Sequence, residues 1–222
     1  MNTDKIVKLV RYFSGIPKSI YVNLRLLPLK QAIYLPIVVS RKTKLQSLSG
    51  TVSLDKIKTG IVRIGFGGTD MLDYRYDRTI IKITGNIHFK GKAKVGVGAK
   101  LFVSGNLSLG NNLNITGDTF IICAKKISIG DDVMIAWQSI IMDTDQHEIH
   151  DKDDKHINED KEIIIGKNVW IGARSFILKN TIIPNGSIVG ANTTVTKQFE
   201  EESTIIGGNP ARILKEEVSW NH

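Results

Sequence analysis

Residues 143–150 read Asp-Thr-Asp-Gln-His-Glu-Ile-His, the stretch of this chain best furnished for proton transfer. A histidine between carboxylates can act as a general base near neutral pH. A neighbouring carboxylate can fix its tautomer and steady its charged form. His147 is the candidate base, and Asp143 and Asp145 are candidates for orienting it or for holding a substrate hydroxyl. On chemistry alone a histidine in a polar loop is more often simply solvated, so its surroundings must decide. His147, His150 and His156 are close enough in sequence to raise a three-histidine zinc site. Two of them fall in or beside an irregular stretch, and no metal is expected. The single cysteine, Cys123, has no legible basic partner and reads as a small buried hydrophobe.

The element that must position His147 is legible just after it. From Ile163 to Lys197 an aliphatic residue returns every sixth position, at Ile165, Ile171, Ile177, Ile183, Val189 and Val195. Compact residues follow four places later, at Val169, Ser175, Thr181, Ser187 and Thr193, and Gly166, Gly172 and Gly190 directly follow three of the aliphatics. Six is neither the 3.6 of an amphipathic helix nor the 2 of a half-buried strand; it is the period of a hexapeptide β-helix. In that reading the aliphatic points inward, the small residue fits the corner, and the glycine supplies the freedom of the turn.

The same phase runs earlier with interruptions. It begins at Ile83, Ile87, Phe89 and Ala93, slips by two, and resumes at Val97, Val103, Leu109, Ile115 and Ile121. A second slip of two leads to Ile129, Ile135 and Ile141. The expectation is a coil over residues 79–199 of roughly five to six turns, at about 18 residues per turn. Residues 148–162 (EIHDKDDKHINEDKE) lose the pattern and must be a loop extruded from it, and a loop of that length in a compact repeat is often functional. Residues 1–78 form a capping region and 200–222 a tail.

Within residues 1–15, Ile6, Leu9, Val10 and Phe13 share one face of a short amphipathic helix. The following segment, with Pro17, Pro28 and Pro36, favours extended pieces and turns over a long helix. Its expected role is to cover the open end of the coil; contact with a membrane surface through Leu24, Leu26 and Leu27, flanked by Arg25 and Lys30, is the alternative. The net charge of +8 is uneven: residues 1–63 hold 12 Lys/Arg against 2 Asp/Glu, and the remainder 18 against 20. Such a basic end suits phosphates, an anionic membrane surface or acidic partners, or it merely keeps an assembly soluble. No nucleic-acid motif accompanies the charge, so nucleic acid is not an expected partner. No secretory signal or membrane-length apolar run is legible. The expected location is cytoplasmic, with peripheral contact at the inner face of the membrane as an option.

Three stretches carry a resemblance to a known family. IGDDVMIAWQSIIMDTDQH is similar to the approach to the catalytic histidine in hexapeptide-repeat acyltransferases. The coils at 163–197 resemble those that line the family's donor site, and GGNPARILK resembles its closing segment. The branch most resembled is the O-acetyltransferases of sugars and surface polysaccharides; the N-terminal IPKSIYVNLRLLPLKQAIYLPIVVSRK also resembles the leading region of its polysaccharide members.

The resemblance implies an all-β, left-handed parallel β-helix, homotrimeric, with active sites between subunits. It implies an acetyl-CoA-dependent O-acetyltransferase in which His147 takes the proton of an acceptor hydroxyl as it attacks the thioester, with both substrates held in one cleft. By position, Ala173 and Ala191 would meet the pantetheine arm, Thr196 and Lys197 the nucleotide end, and Arg212 and Lys215 the CoA phosphates. Where many relatives have Ile-Gly-Pro-Asn before the histidine, this chain has Ile135-Ala136-Trp137-Gln138. Trp137 would therefore shape the acceptor side, and simple-sugar specificity does not carry over. Trp170 would line the acceptor cleft or pack at a subunit interface. The acceptor implied is a hydroxyl of a sugar or glycan precursor, lipid-linked or nucleotide-linked. N-acylation of a nucleotide-linked amino sugar, and a non-catalytic structural β-helix, are the alternatives.

Overall fold

The computed structural model describes residues 12–67 and 72–221. Their architecture is a left-handed parallel β-helix, with the left-handed crossovers that depart from the usual right-handed rule. Short strands stack into three parallel faces. Face A runs from Ile37–Val39 to Ile205–Gly207, face B from Lys44–Leu48 to Thr194–Val195, and face C from Thr51–Leu54 to Ile182–Ile183. The chain passes A to B to C in every coil, so three corners, AB, BC and CA, run the length of the molecule.

Inward aliphatics stack in register. On face B, Ile81, Leu101, Ile121, Ile141, Ile177 and Val195 lie directly above one another, each at most 1% exposed. Burial of each such side chain is worth about 1.5–3 kcal/mol, so the column is the main adhesive of the coil. Ile81, Leu101, Ile121 and Ile141 are 20 residues apart, whereas Ile177 and Val195 are 18 apart. The two extra residues of the longer coils sit at the BC corner, at Thr84-Gly85, Ser104-Gly105 and Ala124-Lys125. The last pair is the second phase slip of the sequence, whereas the first slip, read between Ala93 and Val97, falls on the AB corner and does not mark an insertion. Loop 148–162 leaves from this same corner, between the strands Ile140–Met142 and Ile163–Ile165.

The glycines do not play the part expected from the repeat. The left-handed backbone position falls instead on Asn168, Arg174, Asn180, Gly186 and Asn192, six residues apart, with φ between 52° and 70°. Asparagine tolerates that region best among residues with a side chain. Gly166 and Gly172 have ordinary φ. They are small because a Cβ would lie 2.7 Å from Asn185 N and 2.6 Å from Ala191 N of the next coil. Close stacking, not turn freedom, excludes a side chain there. The compact residues hold the coils together: Ser139 Oγ donates to Gly172 O, and Ser175 Oγ to Gly190 O.

The coil begins earlier than the periodicity indicates. The strands Ile37–Val39, Lys44–Leu48 and Thr51–Leu54 already pair in parallel with the next coil. Insertions after the strands Thr51–Leu54 and Val62–Ile64 hide the period there. Before them, α1 (Ile16–Leu26) and α2 (Leu29–Ala32) replace the expected extended segment. Pro17 sits in the first turn of α1, where its missing N–H forfeits no helical bond, and Pro28 separates the two helices. The buried side of α1 caps the first strand of face A. Asn23 accepts from Ile37 N and donates to Ile37 O, and Ser19 Oγ accepts from Val39 N. Leu26 and Leu27 are buried, so of the three leucines assigned to membrane contact only Leu24 is exposed, beside Ile20 and Tyr21. Ile6, Leu9 and Val10 of the expected first helix lie outside the described residues. At the other end GGNPARILK turns back, and Arg212–Lys215 pairs antiparallel with Ile205–Gly207. Among the described residues no helix is long and apolar enough to cross a membrane.

Candidate active site

Asp143 ends a face B strand at the BC corner and turns inward, fully buried. Its Oδ1 accepts from Ala124 N at 2.7 Å, and its Oδ2 from Lys125 N at 3.0 Å and Lys126 N at 2.7 Å. These amides belong to the wide corner of the preceding coil. Asp143 is thus committed to the scaffold and does not touch His147. The same carboxylate, together with burial, pushes the Cys123 thiol up to about 12; burial is the larger cause. Cys123 is therefore an inert core side chain, as expected.

The chain then turns outward. Thr144 Oγ1 accepts from Gln146 N at 3.0 Å, and Gln146 adopts φ 62°, which delivers His147 to the surface. Asp145 faces Lys179 of the next coil, with Nζ 2.6 Å from its carboxylate. The hydrogen bond from Lys179, then that from Asn158, holds the Asp145 carboxyl below the usual carboxylate range. Asn158 is the hub of the loop. Its amide donates to Asp145 Oδ2 and to the His147 carbonyl, both at 2.8 Å, and its Oδ1 accepts from Ile149 N at 2.6 Å. Beyond it, His150 and His156 bridge as neighbours in a small antiparallel turn, rings 5.6 Å apart. Lys126 pairs with Glu162 at 2.8 Å to fasten the returning leg. The backbone of His147 is therefore fixed, while its imidazole is exposed and bonded to neither aspartate.

Trp137 lies on the AB corner. Arg174, one coil on, lies over its ring at 5.3 Å and donates from Nε to Gln138 Oε1 at 2.9 Å. Gln138 and Arg174 both have φ 59°, in a position that asparagine or glycine fills at most other corners. Strain of this kind needs outside support and gathers at functional surfaces. Ala173 and Ala191 stack one coil apart on the same corner, and among the described residues neither backbone N–H donates to a backbone carbonyl. Two N–H groups without a backbone partner, one coil apart, can receive the acceptor atoms of an extended ligand.

Thr196 and Lys197 are exposed on the BC corner, the edge that carries His147; Lys197 Nζ lies 5.0 Å from the Phe199 ring. Arg212 and Lys215 are exposed on the final hairpin. Trp170, 39% exposed on face A, packs against Trp220 of the tail, with ring centres 6.1 Å apart. Within one chain, then, the candidate base and the Ala173–Ala191 column occupy different corners and do not meet. Asn158, Lys179 and Arg174 were not marked by the sequence, where nothing sets them apart from surface polar residues. Among the described residues no three His, Cys, Asp or Glu side chains cluster to hold a metal.

Residues 162–197 match the family model for the bacterial transferase hexapeptide (six repeats). The chain is 31% identical over 153 residues to WbbJ of Escherichia coli (strain K12), described as a lipopolysaccharide-biosynthesis O-acetyl transferase. That match spans 64% of this chain and 76% of WbbJ. The fold is shared with the polySia-specific acetyltransferase NeuO at a TM-score of 0.63 and 23% identity, over 83% of this chain and 74% of NeuO.

Proposed function

Since the chain belongs to the hexapeptide-repeat acyltransferases, we propose that it transfers an acetyl group from acetyl-CoA to a hydroxyl of a sugar or glycan precursor. The observation that carries this reading is the fixing of the His147 backbone at an exposed corner by Asp145, Asn158 and Lys179. Similarity to a relative described as an O-acetyl transferase supports oxygen as the acceptor atom.

In this mechanism the acceptor hydroxyl attacks the thioester carbonyl carbon while the His147 imidazole takes its proton. The tetrahedral intermediate collapses with cleavage of the C–S bond. The imidazolium then returns the proton to the departing CoA sulfur. The Ala173 and Ala191 amides would bind the pantetheine arm, Thr196 and Lys197 the nucleotide end, and Arg212 and Lys215 the phosphates. Trp137, braced by Arg174, would bound the acceptor. Asp143 and Asp145 act through the scaffold and the loop.

The base with Thr196 and Lys197 on one corner, and the Ala173–Ala191 column on another, fit a homotrimer in which the BC corner of one subunit faces the AB corner of its neighbour. The working location is the cytoplasm. Leu24, Ile20 and Tyr21 with Arg25 would give α1 a peripheral foothold on the inner face of the membrane.

The decisive experiment is a thermal unfolding scan with acetyl-CoA, paired with a transfer assay of His147→Ala. Ligand at about a hundred times its Kd stabilises by about 2.7 kcal/mol and raises Tm by a few degrees. The proposal requires that shift in both proteins and a loss of about 10²–10⁴-fold in turnover for the variant. Unchanged turnover in His147→Ala would remove the base from the mechanism.

A further inference from the structure

A cavity of about 1080 Å³ opens on the AB corner of the first coils. Its walls bring together Arg41, Arg63, Arg75 and Lys94 with the rings of Tyr12 and Phe66, which lie 5.8 Å apart; Asp73, whose Oδ1 accepts from Arg75 N, and Asp77 are the carboxylates of the same wall. Among the described residues none of those four cations forms an ion pair. Lys42, also in the wall, spends its ammonium on the Tyr74 and Arg75 carbonyls, which fastens the outer loop but neutralises nothing.

Two lysines register the crowding of positive charge. Burial, then Lys92 and Arg63, holds the Lys94 ammonium below the usual lysine range; burial, then Arg78 and Arg41, does the same to Lys18, which donates to the Arg41 and Thr43 carbonyls behind the wall. Thr43 packs into the same wall, and like Thr116 and Ser187 elsewhere in the coil its hydroxyl is buried and unpaired. Gly65, at φ 80°, keeps the opening: a Cβ there would lie 2.5 Å from that oxygen.

We infer that this cavity is an anion site for a phosphate or diphosphate ester, separate from the acyl-donor coils. The wall cations outnumber the carboxylates of Asp73 and Asp77 and suit the charge of a diphosphate, and the aromatic rings accept the flat or apolar part of the ester. The position gives the site a use. It shares the AB corner with Trp137, three coils away, a distance of about 14 Å at the usual strand spacing. A phosphorylated acceptor anchored here would extend along that edge toward the proposed acceptor wall; this role, though not the binding itself, rests on the transferase reading.

The test is titration calorimetry of the intact protein with inorganic pyrophosphate and with UDP, at low and high salt. Lys94→Gln and Arg63→Gln are compared with Lys56→Gln, an exposed lysine outside the cavity. The site requires pyrophosphate binding that weakens with salt and falls at least about tenfold in both cavity variants, with Lys56→Gln unchanged. UDP binding tighter than pyrophosphate would assign the ester to a nucleotide, and equal binding to a diphosphate whose other half lies outside, as in a lipid-linked sugar. Absence of binding at millimolar ligand, equal affinity in folded variants, or competitive displacement by CoA would overturn the assignment. Pyrophosphate binding must also survive in His147→Ala, so that failure of this site and failure of the transfer mechanism are read separately.

Discussion

Asp145 and Lys179 meet at 2.6 Å across two successive coils, and the loop that follows His147 hangs on that contact through Asn158. The carboxyl of Asp145 is held below its ordinary range, so its contribution is in full force above that range. It is lost only as pH falls through the depressed value. Lys179→Met removes the chief cause of the depression. Loop opening, followed by pH-dependent proteolysis within 148–162, should then begin at higher pH than in the parent. An unchanged opening pH would show that the clamp does not govern the loop.

Asn158→Ala withdraws the hub while leaving the coil intact. Amide exchange across 147–158 should rise at least about tenfold with little change in Tm, because local opening is decoupled from the stacked core. Turnover should fall as the His147 backbone loses its support.

Asp143→Ala is expected to act on stability. Three corner amides lose their acceptor in a buried place, which costs about 3 kcal/mol or more. Urea denaturation should show it as a lower midpoint. A variant as stable as the parent but inactive would return Asp143 to the chemistry.

Mixing two inactive variants tests the shared cleft. His147→Ala and Ala191→Trp damage different corners. In the proposed homotrimer, co-refolded mixtures should regain about a quarter of parent activity if each site draws on two subunits, and none if it lies within one.

Trp137→Ala should raise the acceptor KM several-fold and leave the acetyl-CoA KM alone. Arg212→Gln with Lys215→Gln should do the converse, with an effect that shrinks as salt rises.

The coil was legible because its inward columns repeat a side-chain type at a fixed interval, and loop 148–162 because it breaks that interval. Other features depend on contacts made only once coils stack. The amides that occupy Asp143 lie about one coil back in the chain, so its neighbours in sequence give no hint of them. Gly166 and Gly172 look like turn residues until the next coil is laid against them. The first coil was hidden by insertions, and α1 by prolines that happen to fall at its start and just past its end. The hydroxyl of Thr43 looks like any strand-edge threonine until the cavity around it is seen.

The way α1 meets the first strand reaches beyond the single molecule. Asn23 offers Ile37 the donor and acceptor that another strand's backbone would otherwise supply, and Arg212–Lys215 lies across the far end in the opposite direction. A parallel stack stripped of either would present amides able to receive the complementary end of a second copy. That contact is heterologous and does not close on itself, so its product would be a filament. Ser19 and Asn23 thus set the length of the object as well as its stability, and their loss should be seen first as fibres rather than as unfolded chain.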